Sequence, residues 1–122
     1  MTKAVRGAIR VRENTQRAIH EAGLRLIREI VKANAIRTED IVSIVFSLTG
    51  DLDAGNPATG LREGGFIETP LFCVQEASVE GGMAGVIRVL LTFEARRRHQ
   101  AVALYLDGAE TLRPDITGRR QM

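Results

Sequence analysis

Sulfur, imidazole and aromatic rings are all scarce in this chain, and each shortage excludes a class of chemistry. Cys73 is the single cysteine among 122 residues, so no internal disulfide can form and no cysteine-rich zinc site can be assembled. His20 and His99 are the two histidines, and neither stands at i, i+3 or i+4 from the other or from Cys73. A transition-metal centre has too few candidate ligands, and the expectation is a chemistry without metal. With no tryptophan, one tyrosine and four phenylalanines, the material for a base-stacking platform is missing, which argues against single-stranded nucleic acid. Lysine is scarce as well: fifteen of the seventeen basic residues are arginine. No apolar run approaches the ~18–20 residues of a membrane span. The start, Met1-Thr2-Lys3-Ala4-Val5-Arg6, turns charged before any signal-peptide stretch develops, so a cytoplasmic location is expected.

What is present is the balance of one folded domain. Hydrophobic residues make up 44% and charged residues 26%, with a formal net charge of +2. A chain of this length buries one core well and two poorly. A single domain over residues 1–116, followed by a mobile tail at 117–122 without apolar periodicity, is the expected organisation. There is no internal repeat and no linker. The arginine-rich inventory suits planar recognition of carboxylates or phosphates.

Periodicity divides the chain into mixed elements. Ala4 to Val11 alternates loosely between small or apolar and basic residues and predicts a strand with Arg6 and Arg10 on one face. Ile19, Gly23, Leu26, Ile27 and Ile30 fall on one helical face, predicting a long helix from Thr15 to Ala33. Asn14 or Thr15 would cap its start, and Asn34 would close it in a left-handed conformation. Ile41 to Thr49 is apolar on both parities and predicts a strand covered on both sides. Asn56-Pro57 predicts a helix entry, the helix running to Glu63 and stopping at Gly64-Gly65. Further strands are predicted at Pro70–Val74, Val86–Phe93 and Ala101–Leu106, with a turn at Asp107-Gly108 and a helical turn from Ala109 to Leu112. The fold class is therefore α+β: a mixed sheet with a long and a short helix packed on it.

Arg88 is the most informative single residue. A guanidinium between Ile87 and Val89 in the most apolar strand is costly to bury unless it meets an anion. It is either a charge-stabilising group in a cleft or an arginine on a solvent face or in a structural ion pair, and Glu76 is placed to pair with it in both cases. Cys73 lies in an apolar strand with no histidine tied to it as a base, the pattern of core packing. Gly64-Gly65 and Gly81-Gly82 lack the lysine and spacing of a phosphate loop. The Arg96 to Arg98 run reads as a solvated loop, and His20, among polar helix positions, as exposed.

Taken in order, Val5-Arg6-Gly7-Ala8-Ile9, Glu13-Asn14-Thr15, Thr49-Gly50-Asp51-Leu52, Pro57-Ala58, Pro70-Leu71-Phe72-Cys73-Val74-Gln75-Glu76, Gly81-Gly82, Val86-Ile87-Arg88-Val89-Leu90, Tyr105-Leu106 and Leu112-Arg113-Pro114-Asp115 resemble the monofunctional chorismate mutases of the trimeric, pseudo-α/β-barrel class. The resemblance covers nearly the whole chain, and the Cys-x-Gln-Glu block followed by Gly-Gly and Ile-Arg-Val is its specific part. It implies a homotrimer with active sites in clefts between subunits, converting chorismate to prephenate without a cofactor. By the same resemblance Arg6 and Tyr105 contact substrate carboxylates, Arg88 donates to the ether oxygen, Glu76 meets the ring hydroxyl, and Cys73 forms pocket wall near that hydroxyl. Ala58, Arg62, Leu112 and Arg113 match positions contributed by the adjacent subunit.

The bottom-up inventory agrees with that chemistry. A Claisen rearrangement needs no nucleophile, proton transfer or metal, only a held conformer and a fixed positive group at the ether oxygen. The sequence departs from the family pattern at Asn56, where phenylalanine is usual, at Thr59, where a substrate-binding lysine is usual, at Gly50 for a proline, and at Val102-Ala103 for an Arg-His pair. Two alternatives therefore stand beside a chorismate mutase: a divergent relative acting on another chorismate-like dianion, and a non-catalytic trimeric anion-binding protein.

Overall fold

The computed structural model describes residues 1–115; the expected tail at 117–122 lies outside the described residues. Five strands form one sheet: β1 (Thr2–Arg10), β2 (Ile41–Leu48), β3 (Leu71–Gln75), β4 (Val86–Glu94) and β5 (Leu104–Leu106). Their order across the sheet is β3-β2-β4-β1-β5. β4 is antiparallel to both β1 and β2, while β3 runs parallel to β2 and β5 parallel to β1. Helices α1 (Gln16–Ala33) and α2 (Pro57–Glu63) supply the second layer.

α1 forms where the apolar period is 3.6 and begins where a side chain satisfies an orphan amide. Thr15 Oγ1 accepts from the Ala18 N–H at 3.1 Å, and Ile19, Gly23, Leu26, Ile27 and Ile30 are its buried face. That face packs with Ile9, Ile44, Phe46, Leu91 and Phe93 of the sheet, each fully buried large side chain contributing about 1.5–3 kcal/mol. The close differs from expectation. Asn34 is not left-handed (φ −104°); Ala35 is, at φ 51°. Asn34 is buried instead, and its carboxamide donates to the carbonyls of Ile30 and Val102 and accepts from the Val102 N–H.

That amide also explains why β5 is shorter than predicted. Val102 spends both backbone groups on the Asn34 side chain, at 2.7 and 3.0 Å, so this residue joins a side chain rather than the ladder and pairing with β1 starts at Leu104. α2 occupies the predicted span. Asn56 caps it by accepting from the Ala58 N–H at 2.9 Å, and Pro57 fills the first position, where the missing N–H costs nothing. The two helices approach closely because Gly23 faces Pro57, where an added Cβ would lie 2.6 Å from the proline ring.

β2 corrects a second expectation. Ile44, Phe46 and Leu48 are buried against the helices, but Ser43, Val45 and Ser47 face the other way and are only partly covered. Both helices lie on one side of the sheet, and the opposite face is open in the single chain. Leu90 and Phe72 stand 45% and 65% exposed upon it.

Candidate active site

The open face is laid out by strand register. Arg88 in the middle of β4 alternates with Ile87 and Val89, which are buried on the helix side, so its side chain projects onto the open face. Its cross-strand neighbours are Ala8 on β1 and Ser47 on β2, with Tyr105 beside Ala8. Small neighbours leave room for a guanidinium between them. Two residues along, the next row reads Arg6, Leu90, Val45 and Phe72.

These rows border a cavity of about 310 Å³ lined by Arg6, Ser47, Arg88, Leu90, Tyr105 and Arg113 among others. A second cavity, of about 410 Å³, adjoins it through Arg88 and carries Glu76, Gln75, Asp51 and Met83. Arg88 Nε and Glu76 Oε2 approach to 2.6 Å. The contact lacks hydrogen-bond alignment, and both atoms are buried without a hydrogen-bond partner among the described residues. The pair is thus held by charge, with its hydrogen-bonding capacity unspent. Glu76 is steadied from the other side by Ser47, whose Oγ donates to Oε1 at 3.3 Å. Sequence reasoning missed Ser47; like Ser43 it is a small polar residue on the Val45 parity of β2, and only its register opposite Arg88 separates the two.

Arg113 reaches the cavity because the chain reverses after β5. Asp107 and Gly108 both adopt positive φ, 56° and 101°, and the turn Ala109–Leu112 packs back over Ala8, Val86, Ala103 and Tyr105. Asp115 binds the Arg113 guanidinium at 2.9 and 3.1 Å and raises its already high pKa. Arg113 therefore lines the cavity with Arg6, Arg88 and Tyr105 of its own chain, and Leu112 packs beside it on the Ala8 and Tyr105 cluster.

Cys73, Ala58, Thr59 and Arg62 are not brought to this cavity. Cys73 pairs in register with Phe46 and packs half-buried against the helix-side core, so it is no wall of its own chain's pocket. Burial pushes its thiol pKa up, against a role as nucleophile. Ala58 is buried in the first turn of α2. Arg62 is exposed and bends back to Thr59, Nη2 standing 3.5 Å from Oγ1. A larger concavity, about 860 Å³, lies at the far end of β4 between Asn34, Arg37, Phe93, Arg98 and His99 and contains none of the expected site residues. Among the described residues no cluster of three metal-ligating side chains occurs, and no helix is long and apolar enough to cross a membrane.

Residues 2–116 match the family model for chorismate mutase type I. The chain belongs to that family. Chorismate mutase AroH of Thermus thermophilus is 38% identical over 122 aligned positions, spanning 95% of this chain and 97% of that protein. Chorismate mutase AroH of Bacillus subtilis is 34% identical over 96% of this chain and 94% of that protein. The solved chorismate mutase from Clostridium thermocellum superposes with a TM-score of 0.85 at 34% identity, over 89% of this chain and 98% of that structure. The five-stranded mixed sheet with two helices on one face is thus the chorismate mutase fold of the type I family.

Proposed function

We propose that the protein is a chorismate mutase, an isomerase that converts chorismate to prephenate, and that Arg88 is its central charge-stabilising group. The observation that carries this is the convergence of Arg6, Arg88, Tyr105 and Arg113 on one cavity, with Glu76 held 2.6 Å from Arg88 at its edge. Chorismate is a dianion whose rearrangement breaks a carbon–oxygen bond, forms a carbon–carbon bond and accumulates negative charge on the ether oxygen. Arg6, Arg113 and the Tyr105 hydroxyl suit its carboxylates, and the Arg88 guanidinium suits that oxygen. A guanidinium fixed by strand register costs little reorganisation when charge develops, the condition under which one donor is worth about 3–4 kcal/mol. Glu76 accepts from the ring hydroxyl while keeping Arg88 aimed. No proton leaves the substrate and no covalent intermediate forms, so the shortage of histidine and reactive thiol is no handicap.

The active form in this reading is a homotrimer with sites between subunits. Leu90, Phe72 and Val74 form an exposed apolar strip on the open face, and a second copy seated there would turn an open groove into an enclosed site. α2 and Cys73, which do not reach their own chain's cavity, are then the parts offered to a neighbour's site. A cytoplasmic location goes with this reading, and the single unpaired thiol suits a reducing compartment.

The test is direct: purified protein is mixed with chorismate, and substrate loss and prephenate formation are followed together, while light scattering reports the mass at micromolar concentration. Stoichiometric conversion by a trimer is expected. Binding of chorismate without turnover would replace this reading with that of an anion-binding protein.

A further inference from the structure

His20 is neither exposed nor idle. It sits on α1 facing α2 with 13% of its side chain accessible, in a space two glycines leave for it. A Cβ on Gly60 would lie 2.8–2.9 Å from the His20 backbone and Cβ, and one on Gly55 would lie 3.2 Å from the ring atoms Cδ2 and Nε2. The ring is tied at both edges. Nε2 accepts from the backbone N–H of Asn56 at 3.2 Å, and Nδ1 stands 3.3 Å from Glu63 Oε1. Asn56 is the cap of α2 and Glu63 its last residue, so one imidazole bridges the two ends of that helix.

A neutral imidazole has one donor and one acceptor. With Nε2 accepting, the proton is on Nδ1, the nitrogen that faces the Glu63 carboxylate. A seven-residue helix has little stability of its own, so its position is set by what holds it, and Asn56 is held twice: by His20 at its N–H, and through its own side chain on Ala58. We infer that His20, as the Nδ1–H tautomer, is a positioning residue that fixes where α2 lies on α1 and thereby where Ala58, Thr59 and Arg62 are presented. The consequence for catalysis rests on the proposed function, in which α2 walls a neighbouring subunit's site. The chemistry on Arg88 does not pass through His20, so the effect falls on substrate binding more than on turnover.

His99 supplies an internal reference for the experiment. Its Nε2 faces Asn34 Oδ1 at 3.3 Å, and that oxygen is an acceptor because Nδ2 donates to the Ile30 and Val102 carbonyls. His99 must therefore carry its proton on Nε2, the opposite tautomer. Long-range ¹H–¹⁵N correlation spectra of the full chain near pH 8 are expected to show Nδ1–H for His20 and Nε2–H for His99. An Nε2–H His20 overturns the inference.

His20→Leu removes the hydrogen bond from Asn56 and the contact with Glu63, whereas His20→Gln leaves an acceptor that can reach the Asn56 N–H. Amide hydrogen exchange at Asn56 should speed up in His20→Leu and stay near wild type in His20→Gln. The Michaelis constant for chorismate should rise about three- to tenfold in the leucine variant, the worth of one hydrogen bond, with turnover number changed less and the glutamine variant largely restored. Equal Michaelis constants in the three proteins, or a glutamine variant no better than leucine in exchange, would sink the positioning role. If wild-type protein fails to convert chorismate, the proposed function falls, while tautomer and exchange still decide the clamp.

Discussion

The two faces of the sheet obey different rules. On the helix side Ile44, Phe46, Ile87 and Leu91 are fully buried and interchangeable in kind, because a packed core asks for volume and apolarity. On the open side the same strands present Ser47, Arg88 and Arg6, with Glu76 and Tyr105 converging from β3's end and β5. Among the described residues the buried side-chain atoms without a hydrogen-bond partner are Arg88 Nε and Glu76 Oε2, which meet there as an ion pair. Stability is concentrated on one face and unspent bonding capacity on the other, which is what a scaffold and a binding site should look like when they share five strands.

Substitutions that separate stability from activity put this contrast at risk. Phe46→Ala, on the helix side, should cost about 3–5 kcal/mol of stability, read as a lower denaturant midpoint, while the folded fraction keeps near-normal turnover. Arg88→Ala should do the reverse. It is expected to fold with nearly unchanged melting temperature and lose about 10²–10³ in turnover number, the worth of one preorganised donor; more than a third of wild-type activity would remove Arg88 from its role. Arg88→Lys should fail too, since a flexible point charge does not reproduce the planar fork.

Phe72→Ser sharpens the comparison on the open face itself. Phe72 is 65% exposed in the single chain, so its loss should alter the stability of that chain by no more than about 0.5 kcal/mol. If copies meet on this face, light scattering should show the assembly dissociating at concentrations where wild type stays associated. An unchanged mass would move the subunit contact elsewhere.

The smallest effect concerns the loop that borders the second cavity. Asp51 is held below the usual carboxylate range, first by the Thr49 hydroxyl and then by the Gly85 N–H, which donates to Oδ1 at 3.2 Å. A depressed folded pKa means stability that is present above the ordinary carboxylate range and is lost as pH falls through the folded value. For a side chain this exposed the amount should stay below about 1 kcal/mol after solvent screening. Asp51→Asn should therefore lower the melting temperature slightly at pH 7, and the difference from wild type should shrink in strong acid.

Much of this was legible in advance where the cause is local. The span of α2 follows from Asn56-Pro57 at one end and Gly64-Gly65 at the other, and the face of α1 from its 3.6-residue period. Arg88 announced itself because a charge in an apolar strand must be answered. The misses share a different cause: a partner distant in sequence. His20 looked exposed because its helical neighbours are polar, and the glycines and amide that enclose it come from residues 55–60. Residues 101–103 looked like strand because nothing nearby shows that Asn34 takes the backbone groups of Val102.

By itself the sequence determined where both helices and most of the strands lie, the caps that start the helices, and the family, since each rests on residue type and short-range spacing. Tertiary structure alone decided the pairing order β3-β2-β4-β1-β5 and therefore which side chains share a face. Arg6, Arg88, Tyr105 and Arg113 are spread over more than a hundred residues of chain, and only register and the reversal at Gly108 bring them to one cavity. Local propensity acts over a few residues; convergence of charges from distant strands exists only once the sheet has paired.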